Sequence, residues 1–424
     1  MKNNKLKRNQ NTLSLSPDMK IADVIRLWPQ TLNTFIRMGF TPLKNPLLRK
    51  TVAGLVTIEK AAFTRNIDLN ILMLNLQNSI TNPTERNEGF IDPDKLRYDE
   101  NTIPDLNGEI NLVGLIPCPI SNIVTEMFDA FIQKNYSSKK TRLAWWIAAE
   151  GGGTVDIKNF IVSIAKSGQY DSFPDYFMAV GTELFLHDDY CRKMYHEDVF
   201  IDGNSTSYKR PEFEKLEDPN KKLNLQFLVY FTFYCTPETM DGLPLPATWF
   251  DLTNPEYKGK IVLPSLNLPV VPDFLAALYY HLGDSLFVQF CRNVSFALHP
   301  SQSSSRKVKK NSPSIFITPI HFSKIIKSKG HVHIIPEDGP VAVPAYYVKT
   351  SSKPKAHSIE NFLTSKELME VYYKNGSFIP NRKDILIEYP LDNIITRPWT
   401  SLFDIIPDNL LEQLLQNFKL GESL

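Results

Sequence analysis

Hydroxyl and amide side chains follow two predicted strands, at positions where a small ligand could bind. Ser121 and Asn122 follow the apolar strand NLVGLIP and begin a predicted helix. Free backbone N–H groups at the start of a helix, together with a capping hydroxyl, favour an anion. Gly152, Gly153 and Thr154 follow the strand TRLAWWIAAE, where glycines let the backbone approach a ligand. The Lys-Ser/Thr pair of a P-loop is missing there, so a nucleotide is not expected.

A second set of polar residues lies further along the chain. Thr182 follows the strand PDYFMAVG, Ser303 and Ser304 lie in the polar turn HPSQSSSRKVKKNSPS, and Thr318 and His321 end the strand IFITPI. Parallel strands share one carboxyl edge, so two opposed edges would place both sets around a cleft. Hydroxyls, amides and backbone N–H groups favour a small polar or anionic ligand. The alternative for each residue is a helix cap, a flexible turn or a surface loop.

Other chemistries find less support in the sequence. Cys118 lies between two prolines at a strand end, and a nucleophilic role would need an activating base that the sequence does not identify. An enzyme with Cys118 or His321 in the cleft stays as a third hypothesis. The four cysteines are widely spaced, without a CxxC or Cys/His cluster, so no local metal site is predicted, and no cofactor.

The elements that position these residues alternate between strand and helix. INLVGLIPCPIS and TRLAWWIAAEGGGT are each followed by an amphipathic helix, and PDYFMAVG is a third strand. This order predicts βαβ units and a mainly parallel sheet. The apolar strand LQFLVYFTFYC then crosses to a second α/β sheet.

A chain of 424 residues predicts two or three domains. We expect a disordered basic tail, a small helical domain, an acidic proline-containing linker, a first α/β lobe in two segments and a second α/β lobe. Their predicted limits are 1–17, 18–80, 81–109, 110–235 with 330–424, and 236–329, respectively. The fold class is therefore α/β, with two lobes and an N-terminal all-α module.

The net charge and the N-terminal sequence limit the partners and the location that we expect. The formal net charge is +1, which gives no electrostatic reason to expect nucleic acid. The basic run RKVKK (306–310) lacks interleaved aromatic residues and is interpreted as a solvated face. The basic N-terminus is not followed by an apolar signal-peptide core, and the longest apolar stretch, FLVYFTFYC, is too short for a bilayer. We therefore expect a soluble, monomeric protein of the cytoplasm.

One stretch, ATWFDLTNPEYKGKIVLP (247–264), carries a resemblance to a known family. This stretch follows the strand LQFLVYFTFYC and is joined by two later segments, PEDGPVAVPAYYVKTSS and HSIENFLTSKELMEVYYKNGSFIPNR. Together they resemble the extracellular solute-binding proteins of ABC importers, over residues 110–400. Within that family it is most similar to the branch of type II periplasmic-binding proteins that includes ferric-ion and small-anion binders. The resemblance implies a two-lobed clamp, location in the periplasm or at the cell surface, and an ABC permease as partner. We expect Trp249 to be structural, with Asp251 capping or bracing the turn before Lys258-Gly259-Lys260.

The sequence departs from the iron-binding members at one point. Those proteins use two adjacent tyrosines after the strand that returns from the second lobe. The corresponding region here is ITPIHF, with His321 and Phe322, and Tyr346-Tyr347 lies too late to match. Whether iron binds is therefore left open.

The helical N-terminus separately resembles a small domain of unknown function found in proteins of anaerobes, through residues 24–40. The leading hypothesis is a solute-binding protein, not an enzyme, that closes two lobes on its ligand. The alternative is a cytosolic ligand sensor or adaptor that acts on a protein partner through the N-terminal helical domain.

Overall fold

The computed structural model describes residues 15–401 with interruptions. The residues outside the description are 1–14, 38–39, 41–42, 44–48, 50–52, 65–68, 70–71, 74–75, 78–79, 81–108, 137–142, 150–153, 187–188, 204–207, 265–267, 299–312, 323–330, 351–356, 398 and 402–424. The predicted basic tail and the predicted linker fall almost entirely on these residues. The chain divides into two compact units, Met1–Thr102 and Ile103–Leu424.

The first unit is helical, as predicted. Its helices include α1 (Ile21–Leu27), α2 (Thr31–Arg37) and α3 (Ile58–Thr64). Apolar residues at helical spacing meet in a separate small core that includes Val24 and Phe35. The Thr31 hydroxyl donates to the Trp28 carbonyl at 2.6 Å, which fixes the turn between the first two helices.

In the described part of the second unit, ten strands form one sheet. They are β1 (Ile110–Ile116), β2 (Leu143–Ala149), β3 (Tyr176–Val180), β4 (Leu223–Cys235), β5 (Ile261–Pro264), β6 (Val294–Leu298), β7 (Ile315–Pro319), β8 (Val332–Ile334), β9 (Val341–Lys349) and β10 (Ile379–Pro380). The main order is β2-β1-β3-β9-β4-β7-β5-β6, and β8 and β10 pair additionally with β4. Two groups are parallel, β2-β1-β3 and β6-β5-β7, as the alternation of strands and helices predicts.

Helices connect the parallel strands and cover the sheet. They are α4 (Cys118–Tyr136), α5 (Thr154–Ser167), α6 (Glu183–Leu186), α7 (Asp189–His196), α8 (Val270–Asn293), α9 (His357–Leu363) and α10 (Lys366–Gly376). In α8, Gly283 has a φ of 74°, which interrupts the helix with a kink. Among the described helices, none is both long and apolar enough to span a bilayer.

The strand β4 belongs to both lobes. Its first part pairs with β9 from Leu223 to Phe231, and its last part pairs with β7 from Phe231 to Cys235. The expectation of a separate second sheet is therefore wrong, because the hydrogen-bonded ladder continues from one lobe to the other along this strand. A bulge interrupts the pairing with β9 between Leu225 and Phe227, so the side chains on either side of it change faces.

The tryptophan segment packs into the core, as predicted for Trp249. Trp249 is fully buried and packs edge-on against Phe233, with ring centroids 5.3 Å apart. The Asp251 carboxylate accepts backbone N–H bonds from Ala247 at 2.8 Å and Thr248 at 2.9 Å. Asp251 therefore caps the turn that begins at Ala247, upstream of Lys258.

Candidate ligand-binding site

The two lobes meet through a buried pair, Thr182 and Asp273. Thr182 follows β3 of the first lobe, and Asp273 lies in the first turn of α8 in the second lobe. The Thr182 hydroxyl donates to Asp273 Oδ1 at 2.6 Å, and the Thr182 backbone N–H donates to Oδ2. The residues are only 3% and 6% exposed, so water competes little for these bonds.

Gly181 allows this approach. Its φ is +84°, and a Cβ there would lie 2.8 Å from Asp273 Oδ2 and 3.1 Å from the Pro269 carbonyl oxygen. A larger residue would therefore be strained and would push the helix away. The Gly181 N–H donates to the Pro344 carbonyl at 2.8 Å, which ties the turn to β9.

Arg397 balances the buried carboxylate. Its Nη1 lies 3.9 Å from Asp273 Oδ1, a distance at which the charges attract without a direct hydrogen bond. Burial raises the pKa of Asp273, and the Thr182 hydrogen bonds and Arg397 oppose this rise. Arg397 Nη2 also donates to the Ser401 carbonyl at 2.5 Å, which orients the guanidinium.

A small pocket surrounds this pair. Its lining consists of Thr182, Leu216, Asp273, Ala342, Pro344, Tyr346, Arg397 and Trp399. The Tyr346 hydroxyl already donates to the Leu216 carbonyl at 2.9 Å. The pocket thus combines apolar walls with one acid, one base and two hydroxyls, groups that bind small hydrophilic molecules in proteins.

Of the predicted first-lobe residues, Thr182 lies at this pocket, and the others are elsewhere or outside the description. Ser121 is buried in the first turn of α4, and its carbonyl accepts the Thr125 hydroxyl at 2.7 Å. Asn122 lies in α4 and Thr154 begins α5, but their side chains are not described. Gly152, Gly153, Ser303 and Ser304 lie outside the described residues.

The predicted residues Thr318 and His321 lie on a different part of the sheet. Thr318 is on β7 opposite Thr232, and two strands, β9 and β4, separate β7 from β3. The Thr318 hydroxyl is buried and has no hydrogen-bond partner among the described residues. His321 packs against Phe378 of the first lobe, with ring centroids 5.1 Å apart. The structure therefore does not bring either of these residues next to Thr182.

Sequence reasoning missed Asp273 and Arg397. Asp273 occupies the first turn of a long helix, where an acidic residue reads as a favourable partner of the helix dipole. Arg397 gives no local signal, because its position depends on the pairing of the C-terminal segment with β9 through Ile395 and Val341. Both residues become recognisable only through their tertiary contacts.

The adjacent tyrosines of β9 do not form an iron-binding pair. Neighbouring residues of a strand point to opposite faces, and both side chains are buried. The Tyr346 hydroxyl donates to a carbonyl, whereas the Tyr347 hydroxyl donates to Glu360 at 3.1 Å. Burial raises the pKa of each phenol well above its usual value, which disfavours the phenolate that iron would need. Within the described residues, no three His, Cys, Asp or Glu side chains are grouped to hold a metal.

Two α/β lobes that share a long strand, with a polar pocket where they meet, define a periplasmic-binding-protein-like fold. Solved structures of periplasmic-binding-protein-like fold are similar to this chain. The periplasmic binding protein P5PA is similar, with a TM-score of 0.51 and 16% identity over 73% of this chain and 99% of that protein. A two-component system protein described as mediating signal transduction has a TM-score of 0.52 and 18% identity, over 72% of this chain and 99% of that protein. Iron-bound HitA from Pseudomonas aeruginosa has a TM-score of 0.51 and 13% identity, over 74% of this chain and 99% of that protein. At these identities the likeness concerns the fold alone.

The chain belongs to the family of bacterial extracellular solute-binding proteins, whose model matches residues 171–398, more than half of the sequence. The model of a domain of unknown function (DUF1858) matches residues 15–73, the helical N-terminus. A search of the curated proteins finds no match.

The family contradicts the predicted cytoplasmic location. Its members are described as extracellular, and P5PA is a periplasmic binding protein. The prediction rests only on the polar composition of the first residues of the sequence. The family is one of solute-binding proteins.

Proposed function

We propose that this protein binds one small hydrophilic solute between its two lobes, without chemical turnover, and delivers it to an ABC permease. The observation that carries the proposal is the pair of hydrogen bonds from Thr182 to Asp273, which joins the end of β3 to the start of α8. A solute bound at this junction touches both lobes, so its binding energy favours the closed form. The proposed lobes are residues 110–235 with 330–424, and 236–329.

The chemistry of the pocket supports a solute that both donates and accepts hydrogen bonds. Asp273 offers carboxylate oxygens, Arg397 offers guanidinium N–H groups, and Thr182 offers a hydroxyl. The predicted residues Ser121, Asn122, Gly152, Gly153, Thr154, Ser303, Ser304, Thr318 and His321 remain proposals for the remainder of the cleft. The acid and the base offset each other, so the pocket itself does not select for a strongly charged ion.

Binding is tested by thermal shift and calorimetry with named probes: inorganic phosphate, sulfate, ferric citrate, glycine and glucose. Thr182→Val keeps the shape of the side chain and removes the hydroxyl. We expect it to weaken binding of the active probe by about 10-fold or more, from a lost hydrogen bond of about 1–2 kcal/mol. Thr253→Val is the matched control, because the Thr253 hydroxyl bonds within its own turn to the Phe250 carbonyl at 2.7 Å. Equal affinities for wild type and Thr182→Val would place the solute elsewhere.

A second candidate function is ligand sensing, in which the helical unit transmits binding to a protein partner. The observation that favours it is the separate core of residues 15–80, which clamping a solute does not require. Hydrogen exchange of the full chain distinguishes the two functions. A sensor shows ligand-dependent protection in Ile21–Leu27 and Ile58–Thr64, whereas a transport component shows changes only beyond residue 103.

A further inference from the structure

After β10 the chain continues along the first lobe as a strap, residues 383–397, which has no helix or strand of its own. Side chains of the first lobe hold the backbone of this strap. The buried Arg210 guanidinium donates to the Ile385 carbonyl near its start. The Tyr230 hydroxyl, on β4, donates to the Pro390 carbonyl at 2.9 Å. The strap is therefore anchored to the first lobe at more than one point along its length.

Near its end the strap joins the sheet beside β9. Ile395 pairs in parallel with Val341, past the point where β3 ends. The Ile395 N–H donates to the Pro340 carbonyl at 3.1 Å, and the Ile395 carbonyl accepts the Ala342 N–H at 2.8 Å. This short pairing directs the chain toward the pocket that Arg397 lines.

The same part of the strap also reaches the second lobe. Arg397 Nη1 lies 3.9 Å from Asp273 Oδ1 of α8, and the two side chains are only 10% and 7% exposed. The Asn393 carbonyl packs against Gly339 so closely that no Cβ would fit there. The Gly339 carbonyl in turn accepts the indole N–H of Trp249 in the second lobe at 2.8 Å. The strap thus connects the first lobe to groups of the second lobe.

The charges at this junction make Arg397 the attractive partner. Asp273 of the second lobe faces the first lobe at Glu183, a like charge that disfavours the contact between the lobes. Glu183 is paired with Lys158, but that lysine side chain is 47% exposed, so water screens its charge. Among the described residues, Arg397 is the cation that acts on Asp273. Without it, a buried carboxylate would have no compensating charge where the lobes meet.

The strap is held less firmly than the sheet beneath it. Its buried side chains are Ile385, Ile394 and Ile395, and its other residues are partly or fully exposed. Leu386, for example, is 88% exposed. Segments with few buried apolar contacts open at a lower free energy than a core strand does. The contact of the strap with the second lobe can therefore be lost while the sheet stays intact.

We propose that the strap acts as a latch, fixed to the first lobe and holding the second lobe closed through Arg397 before any solute binds. This inference rests on the lobe closure of the proposed function and assigns residues 383–397 a part in it. Arg397 and Trp399 also line the pocket, so a solute that binds there contacts the end of the strap directly. The strap thereby sets the balance between the open and the closed form.

Electron–electron distance measurements on the full chain, without added solute, test the latch. Nitroxide labels on a genetically encoded ketone amino acid avoid the native cysteines. The label sites are three exposed residues, namely Ser285 in α8 of the second lobe, Asn361 in α9 of the first lobe and Asp392 in the strap. The Ser285–Asn361 distance reports the opening of the lobes, and the Asp392–Asn361 distance reports whether the strap stays on the first lobe.

The variants separate the latch from a general effect of losing an arginine. Arg397→Met keeps a long side chain and removes the charge, and Arg397→Gln replaces it if Arg397→Met does not fold. Arg382→Met is the matched control, because Arg382 donates to the Thr364 carbonyl at 2.7 Å within the first lobe. Arg397→Lys keeps the charge and should preserve most of the closed form.

We expect Arg397→Met to raise the fraction of longer Ser285–Asn361 distances by about 5-fold or more, the usual size of coupling between two sites. The Asp392–Asn361 distance should stay unchanged. An unchanged Ser285–Asn361 distance, a shifted Asp392–Asn361 distance, or an equal opening in Arg382→Met would each overturn the latch. Absence of binding by every probe in the thermal-shift test would count against the binding function alone, because these distances need no ligand.

Discussion

Thr182 and Asp273 are 91 positions apart in the sequence, yet the hydroxyl of one lies 2.6 Å from the carboxylate of the other. This bond joins the end of a first-lobe strand to the first turn of a second-lobe helix, and both partners are buried. An ionisable group at such a junction makes the stability of the closed form depend on pH.

The pH dependence has a definite sign. The folded pKa of Asp273 is raised, mainly by burial, above the 3.8 of an ordinary aspartate, so the native state holds this proton more tightly than the unfolded chain. The contribution of Asp273 to the free energy of unfolding therefore falls as pH rises from about 4 through the raised pKa. Asp273→Asn removes this decrease. Urea denaturation of both proteins between about pH 4 and pH 7 measures it, and parallel pH profiles would contradict it.

We expect Trp249 to be a structural residue whose replacement strongly lowers the free energy of unfolding. Trp249→Ala leaves a cavity beside Phe233 and Phe274 and removes the bond to the Gly339 carbonyl. The free energy of unfolding should drop by about 3–5 kcal/mol. Phe250→Ala is the control, because the Phe250 ring, next to Trp249 in sequence, is 43% exposed. Its loss should lower the free energy of unfolding far less. A Trp249→Ala protein of normal stability would show that the segment is not an anchor.

Gly339 is expected to be intolerant of any side chain. A Cβ at this position would lie 1.7 Å from the Asn393 carbonyl oxygen, in addition to the strain of a positive φ. Gly242→Ala is the matched control, since Gly242 has a φ of +84° and open space around it. The control should cost about 1–2 kcal/mol from backbone strain, and Gly339→Ala distinctly more. Thermal unfolding of both variants measures the difference, and equal losses would show that the Asn393 contact relaxes freely.

The buried ion pair of the first lobe supplies another prediction. Lys349 Nζ lies 3.2 Å from Glu360 Oε2, and both residues are buried. Lys349→Met leaves an uncompensated carboxylate in the core and should cost about 3–5 kcal/mol. Lys349→Met combined with Glu360→Leu should recover much of that loss, because neither charge then remains. A double-variant cycle by chemical denaturation measures this coupling, and simple additivity of the two losses would argue against it. Lys374→Met, at an exposed pair with Glu370, should change stability little.

The sequence predicts the local elements of this fold well and the meeting of distant elements poorly. The alternation of strands and helices after residue 110 is found as expected, and Trp249 lies in the core as its motif suggests. The single sheet was missed because the amino-acid pattern of β4 is apolar throughout and does not show where its partners change. Thr318 and Thr182 were grouped by the rule that ligands bind at strand ends. The strand order, which places β9 and β4 between them, is not encoded in any local pattern.

The position of β9 in the sheet has a consequence for how the chain folds. This strand lies between β3 and β4, yet it follows the whole second lobe in sequence. During synthesis the first three strands emerge early but cannot join β4 until residues 341–349 have been made. The first lobe therefore completes its centre last, through contacts of long sequence separation, which slow folding. A ribosome-bound chain that stops near residue 330 should expose the edges of β3 and β4 and be recognised by chaperones.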